Sequence, residues 1–156
     1  MKCISLWNPW AFLMAINAKR NETRSWPTAY RGELAIHAAK KWNNDLRDVC
    51  AMPPFVGVLG EFLRSTAHDI SVYTREYMPF GAIVAVVDLV DCVQITEKNL
   101  PDGNELDFGD YRADRFMWQT ENAKRLRLPI PFRGQQGLFA LPDEIATRVR
   151  QAWCVK

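Results

Sequence analysis

The sequence predicts an α+β domain in which five to six short strands form a small, partly closed β-barrel with flanking helices. Short apolar or β-branched segments occur along the whole chain, and segments of helical character lie between and after them. No glycine-rich loop follows a predicted strand, which argues against a Rossmann nucleotide site and against a P-loop. A length of 156 residues is typical of one domain, residues 1–156, with a core of its own.

The first elements are predicted to be a strand at residues 3–6 and a helix at residues 10–16. Asn8 and Pro9 form a helix start, because Asn is a favoured N-cap and Pro suits the first helical position. The helix is apolar nearly all round, so we expect it to be buried. It should end at Asn17, a residue type that tolerates a left-handed backbone.

The rest of the chain alternates between strands and helices. A strand at residues 33–37 places Leu34 and Ile36 on one face and Ala35 and His37 on the other. The later elements are predicted to be helices at 43–50 and 55–63, a loop at 65–80, a Val- and Ile-rich buried strand at 82–93, an acidic, turn-rich loop at 98–114, one or two strands over 115–128, a short strand at 137–141 and a helix at 142–153.

Composition and cysteine spacing predict a soluble protein without a metal or another cofactor. Apolar residues make up 48% of the chain and charged residues 24%, which is ordinary for a globular protein. The cysteines are widely scattered and none has metal-ligand spacing, which indicates reduced core thiols of a cytoplasmic protein. We also find no signal peptide and no apolar run long enough to span a bilayer, and therefore expect no membrane partner.

Charge is distributed unevenly along the chain. Residues 1–42 contain seven basic and two acidic residues, a net charge of +5, whereas the remainder carries −3. Four of the six tryptophans also lie in this first part. Basic charge interleaved with aromatic side chains is typical of a nucleotide or single-strand site, although tryptophans near an N-terminus are more often core residues.

Residues 19–27 concentrate these features. If the segment is extended, Glu22, Arg24 and Trp26 project from one face, with Lys19 at the corner between helix and strand. An aromatic ring, a planar cation, an acceptor and a point charge on one wall suit a nucleobase and its phosphate. The alternative is a surface strand with a Glu–Arg pair and one Trp that covers the core.

Lys19 and Glu22 also admit a catalytic interpretation. If both were buried, they could serve as a base and an acid near neutral pH. In the alternative interpretation they form a solvated ion pair, in which Lys19 binds a phosphate and Glu22 orients Arg24. The residues leave open whether any bond is broken.

Several segments of the chain resemble the ASCH domain (activating-signal-cointegrator homology). The resemblance is carried by Ile4-Ser5-Leu6-Trp7-Asn8-Pro9-Trp10, Lys19-x-x-Glu22-x-Arg24-x-Trp26-Pro27, Tyr30-Arg31-Gly32-x-Leu34-x-Ile36-His37-Ala38, Phe108-Gly109-Asp110-Tyr111, Phe116-x-Trp118 and Arg133-Gly134-x-x-Gly137-Leu138-Phe139. It implies a PUA-like fold with a side cleft lined by the Gly-x-Lys-x-x-Glu-x-Arg block and associated with RNA or nucleotide binding. Some members are reported as ribonucleases, and a divergent relative is an amidohydrolase acting on N4-acetylcytidine.

Two positions depart from the pattern of the family. Asn17 replaces the usual Gly before the Lys, and Glu22 stands where the amidohydrolase relative carries a Thr that was the proposed nucleophile. The amidohydrolase mechanism is therefore not transferred directly to this chain.

Further site candidates follow from their positions. Ser5 shares parity with Trp7 on the first strand, and His37 precedes the basic pair Lys40-Lys41. The family alignment puts Tyr111 and Arg115 at the mouth of the cleft, with Arg133 opposite. The complete set of predicted ligand-binding residues is Ser5, Trp7, Trp10, Lys19, Glu22, Arg24, Trp26, Arg31, His37, Lys40, Tyr111, Arg115 and Arg133.

The sequence thus favours an RNA- or nucleotide-binding domain with a basic, Trp-lined cleft. Its expected partner is single-stranded RNA, a nucleotide or a modified nucleoside. One alternative is a hydrolase, either a metal-independent ribonuclease or a nucleoside amidohydrolase that uses Lys19 and Glu22. Another is a protein-interaction adaptor that uses the loop at residues 98–114.

Overall fold

The computed structural model describes residues 1–66 and 76–153, which form one six-stranded sheet with helices packed against it. The elements in chain order are β1 (Lys2–Leu6), α1 (Trp10–Ala15), β2 (Asn21–Arg24), β3 (Gly32–Ala38), α2 (Asn44–Cys50), α3 (Phe55–Ser65), β4 (Ala82–Gln94), α4 (Asn104–Asp107), β5 (Phe116–Pro131), β6 (Leu138–Ala140) and α5 (Asp143–Gln151).

The sheet has the order β2-β5-β4-β3-β1-β6 and curls into a half-barrel. The β1–β3 pair is parallel and the other four pairs are antiparallel. Register shifts occur once between β3 and β4 and three times between β4 and β5. Because bulges bend a strand and increase its twist, these shifts account for much of the curl. The predicted α+β class and partly closed barrel are confirmed.

The two faces of β3 pack into different parts of the core, as the alternation of its side chains predicts. Leu34 and Ile36 join a cluster on the concave side together with Trp118. Ala35 belongs to a second cluster, between the opposite face of the sheet and α5. His37 shares that second face with Ser5, its register partner in β1.

Helix α1 connects the sheet to the helical side of the domain. Its residues from Ala11 to Ala15 are all buried, since Met14 packs on the sheet while Phe12 and Leu13 pack among α2 and α3. Burial on both sides explains why the segment is apolar nearly all round. The helix starts at Trp10, and the buried Asn8 side chain accepts the Phe12 N–H.

Several predicted boundaries differ from the structure. Asn17 has the expected left-handed backbone, with φ 60°, although α1 already ends at Ala15. The region predicted as one or two strands over 115–128 contains a single strand that begins at Phe116 and continues to Pro131, because β4 pairs with it through three register shifts. The loop at 98–114 contains the one-turn helix α4, and the part of the predicted loop at 67–75 lies outside the described residues.

The thiols of Cys3 and Cys50 are buried and that of Cys92 is partly buried, as free cysteines. Burial raises the pKa of Cys3 to about 12 and that of Cys50 to about 11. Within residues 1–66 and 76–153, no three His, Cys, Asp or Glu side chains are grouped as a metal site would require. No helix in the same ranges combines the length and the apolar character needed to cross a bilayer.

Candidate nucleic-acid interface

Strand β2 forms one wall of a pocket of about 570 Å³, which we call the aromatic pocket. Strand β2 pairs with β5 and lies at an edge of the sheet, so that one side of it faces solvent. The pocket is lined by Ser5, Leu6, Trp7, Trp10, Glu22, Thr23, Arg24, Ser25, Trp26, Asp107, Phe108, Gly109, Asp110 and Arg115.

Three tryptophans line this pocket with different degrees of exposure. Trp7 is 47% exposed, and the ammonium of Lys41 lies 3.7 Å from the centre of its ring. Trp10 is partly buried, with its ring edge-on to Phe55. Trp26 is also partly buried and meets Trp118 edge-on at 4.7 Å between ring centres. The exposed Trp7 therefore offers the most aromatic surface for stacking, and Trp26 both lines the pocket and covers the core.

Glu22 stands between two cations. Its Oε1 lies 3.2 Å from Arg24 Nε and its Oε2 lies 3.6 Å from Lys19 Nζ. Arg24 also donates from Nη2 to the carbonyl of Ser5, at 3.2 Å, which ties β2 to the end of β1. The Arg24 guanidinium and the Glu22 carboxylate are thereby held in place at the surface of the pocket.

Lys19 is buried beneath this wall instead of reaching into the pocket. Its side chain is 1% exposed, and Nζ donates to the carbonyl of Asn21 as well as facing Glu22. A covered ammonium cannot present its charge directly to a phosphate in this conformation. The predicted phosphate contact of Lys19 is therefore replaced by a structural contact that orients Glu22 from behind.

The acidic loop at residues 98–114 forms the opposite wall and is fixed to β2. The Glu105 carboxylate accepts the N–H groups of Arg20 and Asn21, and the Thr23 hydroxyl accepts the N–H of Asp110. Arg115 donates to the carbonyl of Thr23 from the other end of the loop. These hydrogen bonds hold the segment from α4 to Arg115 in a fixed position against β2.

Tyr111 lies behind that wall. Its hydroxyl is buried beside Asn21 and Glu105, and burial raises its pKa well above the ordinary value. Gly109 packs so closely on this ring that an added Cβ would lie 2.6 Å from Tyr111 Cε2. Tyr111 therefore supports the loop and is not among the residues that line the pocket.

A second pocket of about 730 Å³ adjoins the first, and we call it the basic pocket. Ser5 lines both pockets and so marks the place where they meet. The residues of the basic pocket are Ser5, His37, Ala39, Lys40, Gly81, Pro131, Phe132, Arg133, Gly134, Gln135 and Gln136.

Ser5 and His37 are hydrogen-bonded across the β1–β3 pair. The Ser5 hydroxyl lies 3.0 Å from Nδ1 of His37, and Nε2 lies 2.9 Å from the carbonyl of Phe132. Since a carbonyl only accepts, Nε2 carries a hydrogen and the neutral ring accepts the Ser5 hydroxyl at Nδ1. Burial lowers the pKa of His37, and the Phe132 carbonyl opposes that shift. The imidazole is thus held in one tautomer and orientation.

Sequence comparison places the chain among known proteins. A family model described as the ASCH domain matches residues 4–129. The chain belongs to the ASCH domain family. It is 27% identical to activating signal cointegrator 1 of Mus musculus and of Homo sapiens, in each case over 143 residues that cover 92% of the chain. This match spans 22% of each relative, or about a fifth of its length.

Solved structures agree with this assignment at the level of the fold. The crystal structure of ASCH from Zymomonas mobilis has a TM-score of 0.55 and 15% identity, with 97% of this chain and 94% of that chain covered. A single-substitution variant of the same protein has a TM-score of 0.54 and 14% identity, with 97% of each chain covered. At such identities the likeness shows the fold of this ASCH domain and nothing finer.

The ASCH domain brings most of the predicted site residues to one of the two pockets. The aromatic pocket has Ser5, Trp7, Trp10, Glu22, Arg24, Trp26 and Arg115, and the basic pocket has Ser5, His37, Lys40 and Arg133. Arg31 lies at the opposite end of β3 from His37, where it pairs with Asp91 at 3.0 Å and lines neither pocket.

The two pockets differ in charge, whereas the sequence predicted a single basic cleft. Arg24 and Arg115 in the aromatic pocket are accompanied by three carboxylates, Glu22, Asp107 and Asp110. Among the residues that the structure describes, Lys40 and Arg133 are the only charged ones that line the basic pocket, apart from the titratable His37. The aromatic and the cationic properties predicted for a single cleft thus lie side by side.

The sequence analysis missed several lining residues. Thr23 and Phe108 to Asp110 line the aromatic pocket, and Gln135 and Gln136 line the basic one. Phe108, Gly109 and Asp110 belong to a segment that resembles the family, so this motif could have been used to predict them as lining residues. Nothing in the local pattern of Gln135 and Gln136 indicates that they approach Ser5.

Proposed function

We propose that this ASCH domain binds RNA or a nucleotide and holds a base in the aromatic pocket. The observation that carries the proposal is the convergence of three tryptophans with Glu22 and Arg24 on one pocket of about 570 Å³. That volume lies within the range of small-ligand sites, which is roughly 300–1,000 Å³. The general association of the ASCH and PUA-like fold with RNA supports the same conclusion.

The side chains suit a base with polar edges. Trp7 has one face near Lys41, and a base would stack on the aromatic surface that remains open. The Glu22 carboxylate accepts hydrogen bonds and the Arg24 guanidinium donates them, so the pair recognises an edge with both a donor and an acceptor. Because this pocket contains more carboxylates than arginines, affinity there comes mainly from stacking and hydrogen bonds.

Binding can be tested by titrating short single-stranded oligoribonucleotides and free nucleosides while tryptophan fluorescence is recorded. Trp7→Ala should weaken binding about 5- to 100-fold, the range that corresponds to the loss of one stacked base. Arg24→Ala should weaken it as well. Leu128→Ala is the control, since Leu128 is 73% exposed and lines neither pocket. Unchanged affinity in both Trp7→Ala and Arg24→Ala would overturn the proposal.

A hydrolase is the second candidate, and one observation favours it. The buried Lys19 faces Glu22, whose carboxylate is 14% exposed and lines the aromatic pocket. A covered ammonium behind a partly exposed carboxylate is an arrangement that proton-transfer sites use. Labelled RNA and N4-acetylcytidine should be incubated with the wild type and with Lys19→Met. Turnover that Lys19→Met abolishes in a folded protein would support catalysis, and binding without turnover of either compound would exclude these two reactions.

A further inference from the structure

The basic pocket has the chemistry of an anion site. Its lining includes the ammonium of Lys40 and the guanidinium of Arg133, both exposed, and no carboxylate from residues 1–66 or 76–153. Two glutamine side chains and the Ser5 hydroxyl add neutral hydrogen-bonding groups. Such a set favours a phosphate over a neutral or cationic ligand.

The backbone around this pocket approaches the functional side chains closely. Gly81 has a positive φ of 63°, and a Cβ there would lie 2.7 Å from Cε of Lys40. The stem of Lys40 is thus laid along the Gly81 backbone. On the other side, a Cβ at Gly134 would lie 2.6 Å from the Ser5 hydroxyl and 2.5 Å from Cε1 of His37. The Lys40 side chain and the Ser5–His37 pair thus both pack closely on glycine backbone in this pocket.

The position of Ser5 links the two pockets. Ser5 lies in β1 and lines both pockets. Trp7, two residues further along the chain, lines only the aromatic pocket. The Ser5 carbonyl accepts a hydrogen bond from Arg24 at 3.2 Å, whereas its hydroxyl bonds to His37. A ligand that passes over Ser5 would have its uncharged ring on one side and its charged group on the other.

We propose that the basic pocket binds the phosphate attached to the nucleoside held in the aromatic pocket, through Lys40 and Arg133. This inference rests on the proposed function and adds to it the place at which the phosphate of the ligand binds. It assigns the phosphate to residues outside the Lys19–Arg24 block. The terminal phosphate of a mononucleotide and a phosphodiester of RNA share the chemistry that these two cations recognise.

The experiment compares four ligands: a nucleoside, its 3′-monophosphate, its 5′-monophosphate, and a short single-stranded oligoribonucleotide. Each is titrated against the wild type and against the double variant Lys40→Gln, Arg133→Gln. The matched control is Lys98→Gln, Arg148→Gln, which removes the same charge from two exposed residues that line neither pocket. Circular dichroism and thermal unfolding establish that all three proteins are folded.

The double variant should bind the nucleoside as the wild type does, within about twofold. It should lose about tenfold or more in affinity for the phosphorylated ligands, because two charge-assisted contacts are removed. The slope of log affinity against log salt for the oligoribonucleotide should fall in magnitude by about 1.4, or about 0.7 for each lost contact with a single strand. In the control variant, the phosphorylated ligands should still bind more tightly than the nucleoside. Most of the salt dependence of oligoribonucleotide affinity should also remain.

The outcomes separate this inference from the function on which it rests. If the wild type binds no nucleoside, nucleotide or RNA, the proposed function fails and the phosphate site fails with it. If the nucleoside binds and a phosphate adds no affinity, only the phosphate site is overturned. The same holds if the phosphate-dependent gain survives the double variant. A gain seen with a monophosphate identifies a terminal phosphate as sufficient, and a gain seen only with the oligoribonucleotide identifies the phosphodiester of a strand.

Discussion

The ammonium of Lys19 lies 3.6 Å from Oε2 of Glu22, with the lysine side chain 1% exposed and the glutamate 14% exposed. The other carboxylate oxygen faces Arg24 at 3.2 Å. Lys19 thus forms a buried contact on one side of Glu22, and Arg24 forms a more exposed one on the other. This relationship determines what each substitution in the segment should do.

Glu22→Gln should lower the free energy of unfolding by about 3 kcal/mol, because it leaves the buried Lys19 ammonium without its counter-charge. Lys19→Met should cost less, within about 1 kcal/mol, since Glu22 retains Arg24 and the buried stem stays filled. Urea denaturation measures both. Asp48→Asn is the control: its partner Arg47 is 46% exposed and the pair should contribute under about 1 kcal/mol. Equal urea midpoints for Glu22→Gln and the wild type would contradict the expectation.

Much of the fold follows from local pattern, as individual residues show. Asn17 takes the predicted left-handed backbone, and Leu34 and Ala35 pack on opposite faces of β3 as alternation requires. The choice between one and two strands over 115–128, and the continuation of β5 to Pro131, could not be settled locally because both depend on the bulged pairing with β4.

The site was harder to predict because charge along the sequence does not give position in space. Lys19 and Lys40 both contribute to the basic N-terminal part, yet one is covered by β2 and the other lies in the basic pocket. Arg31 belongs to the same part and lies at the far end of β3. The division into two pockets arises from the order of strands in the sheet and from the Ser5 boundary, neither of which the spacing of residues contains.

Gly134→Ala should destabilise the protein by about 1–3 kcal/mol, the usual cost of overpacking. The new Cβ would lie 2.5 Å from His37 Cε1 and 2.6 Å from Ser5 Oγ. Gly57→Ala is the matched control, because nothing lies within 4 Å of its Cβ position and it is exposed in α3. That control should stabilise the protein by about 0.5–1 kcal/mol. Thermal unfolding of the two variants measures the contrast, and a shift of the same sign in both would contradict it.

The stability of the protein should fall as pH decreases from neutral, in part because of His37. Burial lowers its folded-state pKa below the ordinary value of 6.5, so the unfolded chain binds a proton first as pH falls. The charged residues that line the same pocket as His37 are Lys40 and Arg133. The contribution is present above about pH 6.5, is lost as pH falls toward the folded-state pKa, and levels off below it.

Urea denaturation between pH 7.5 and pH 5 tests this expectation for His37. The slope due to one histidine is at most about 1.4 kcal/mol per pH unit. His37→Gln should flatten the profile, and a parallel His68→Gln variant measures the part due to the only other histidine in the sequence. A slope that His37→Gln leaves unchanged would assign the pH dependence to other groups.

Glu105→Ala should loosen the acidic loop while the sheet stays folded. The Glu105 carboxylate accepts the N–H groups of Arg20 and Asn21, the latter at 2.8 Å, and these bonds attach α4 to the start of β2. Hydrogen bonds to a charged group contribute about 1.5–3 kcal/mol when they are protected, so at this partly exposed position we expect a loss of about 1 kcal/mol. Hydrogen exchange should accelerate at residues 104–110 and at Arg20 and Asn21, but hardly in β3 and β4. Asp102→Ala, an exposed change in the same loop, should leave these rates unaltered.

Because the loop forms one wall of the aromatic pocket, Glu105→Ala should also weaken ligand binding in proportion to the fraction of time the wall is open. Faster exchange with undiminished affinity would show that this wall contributes nothing to the bound state.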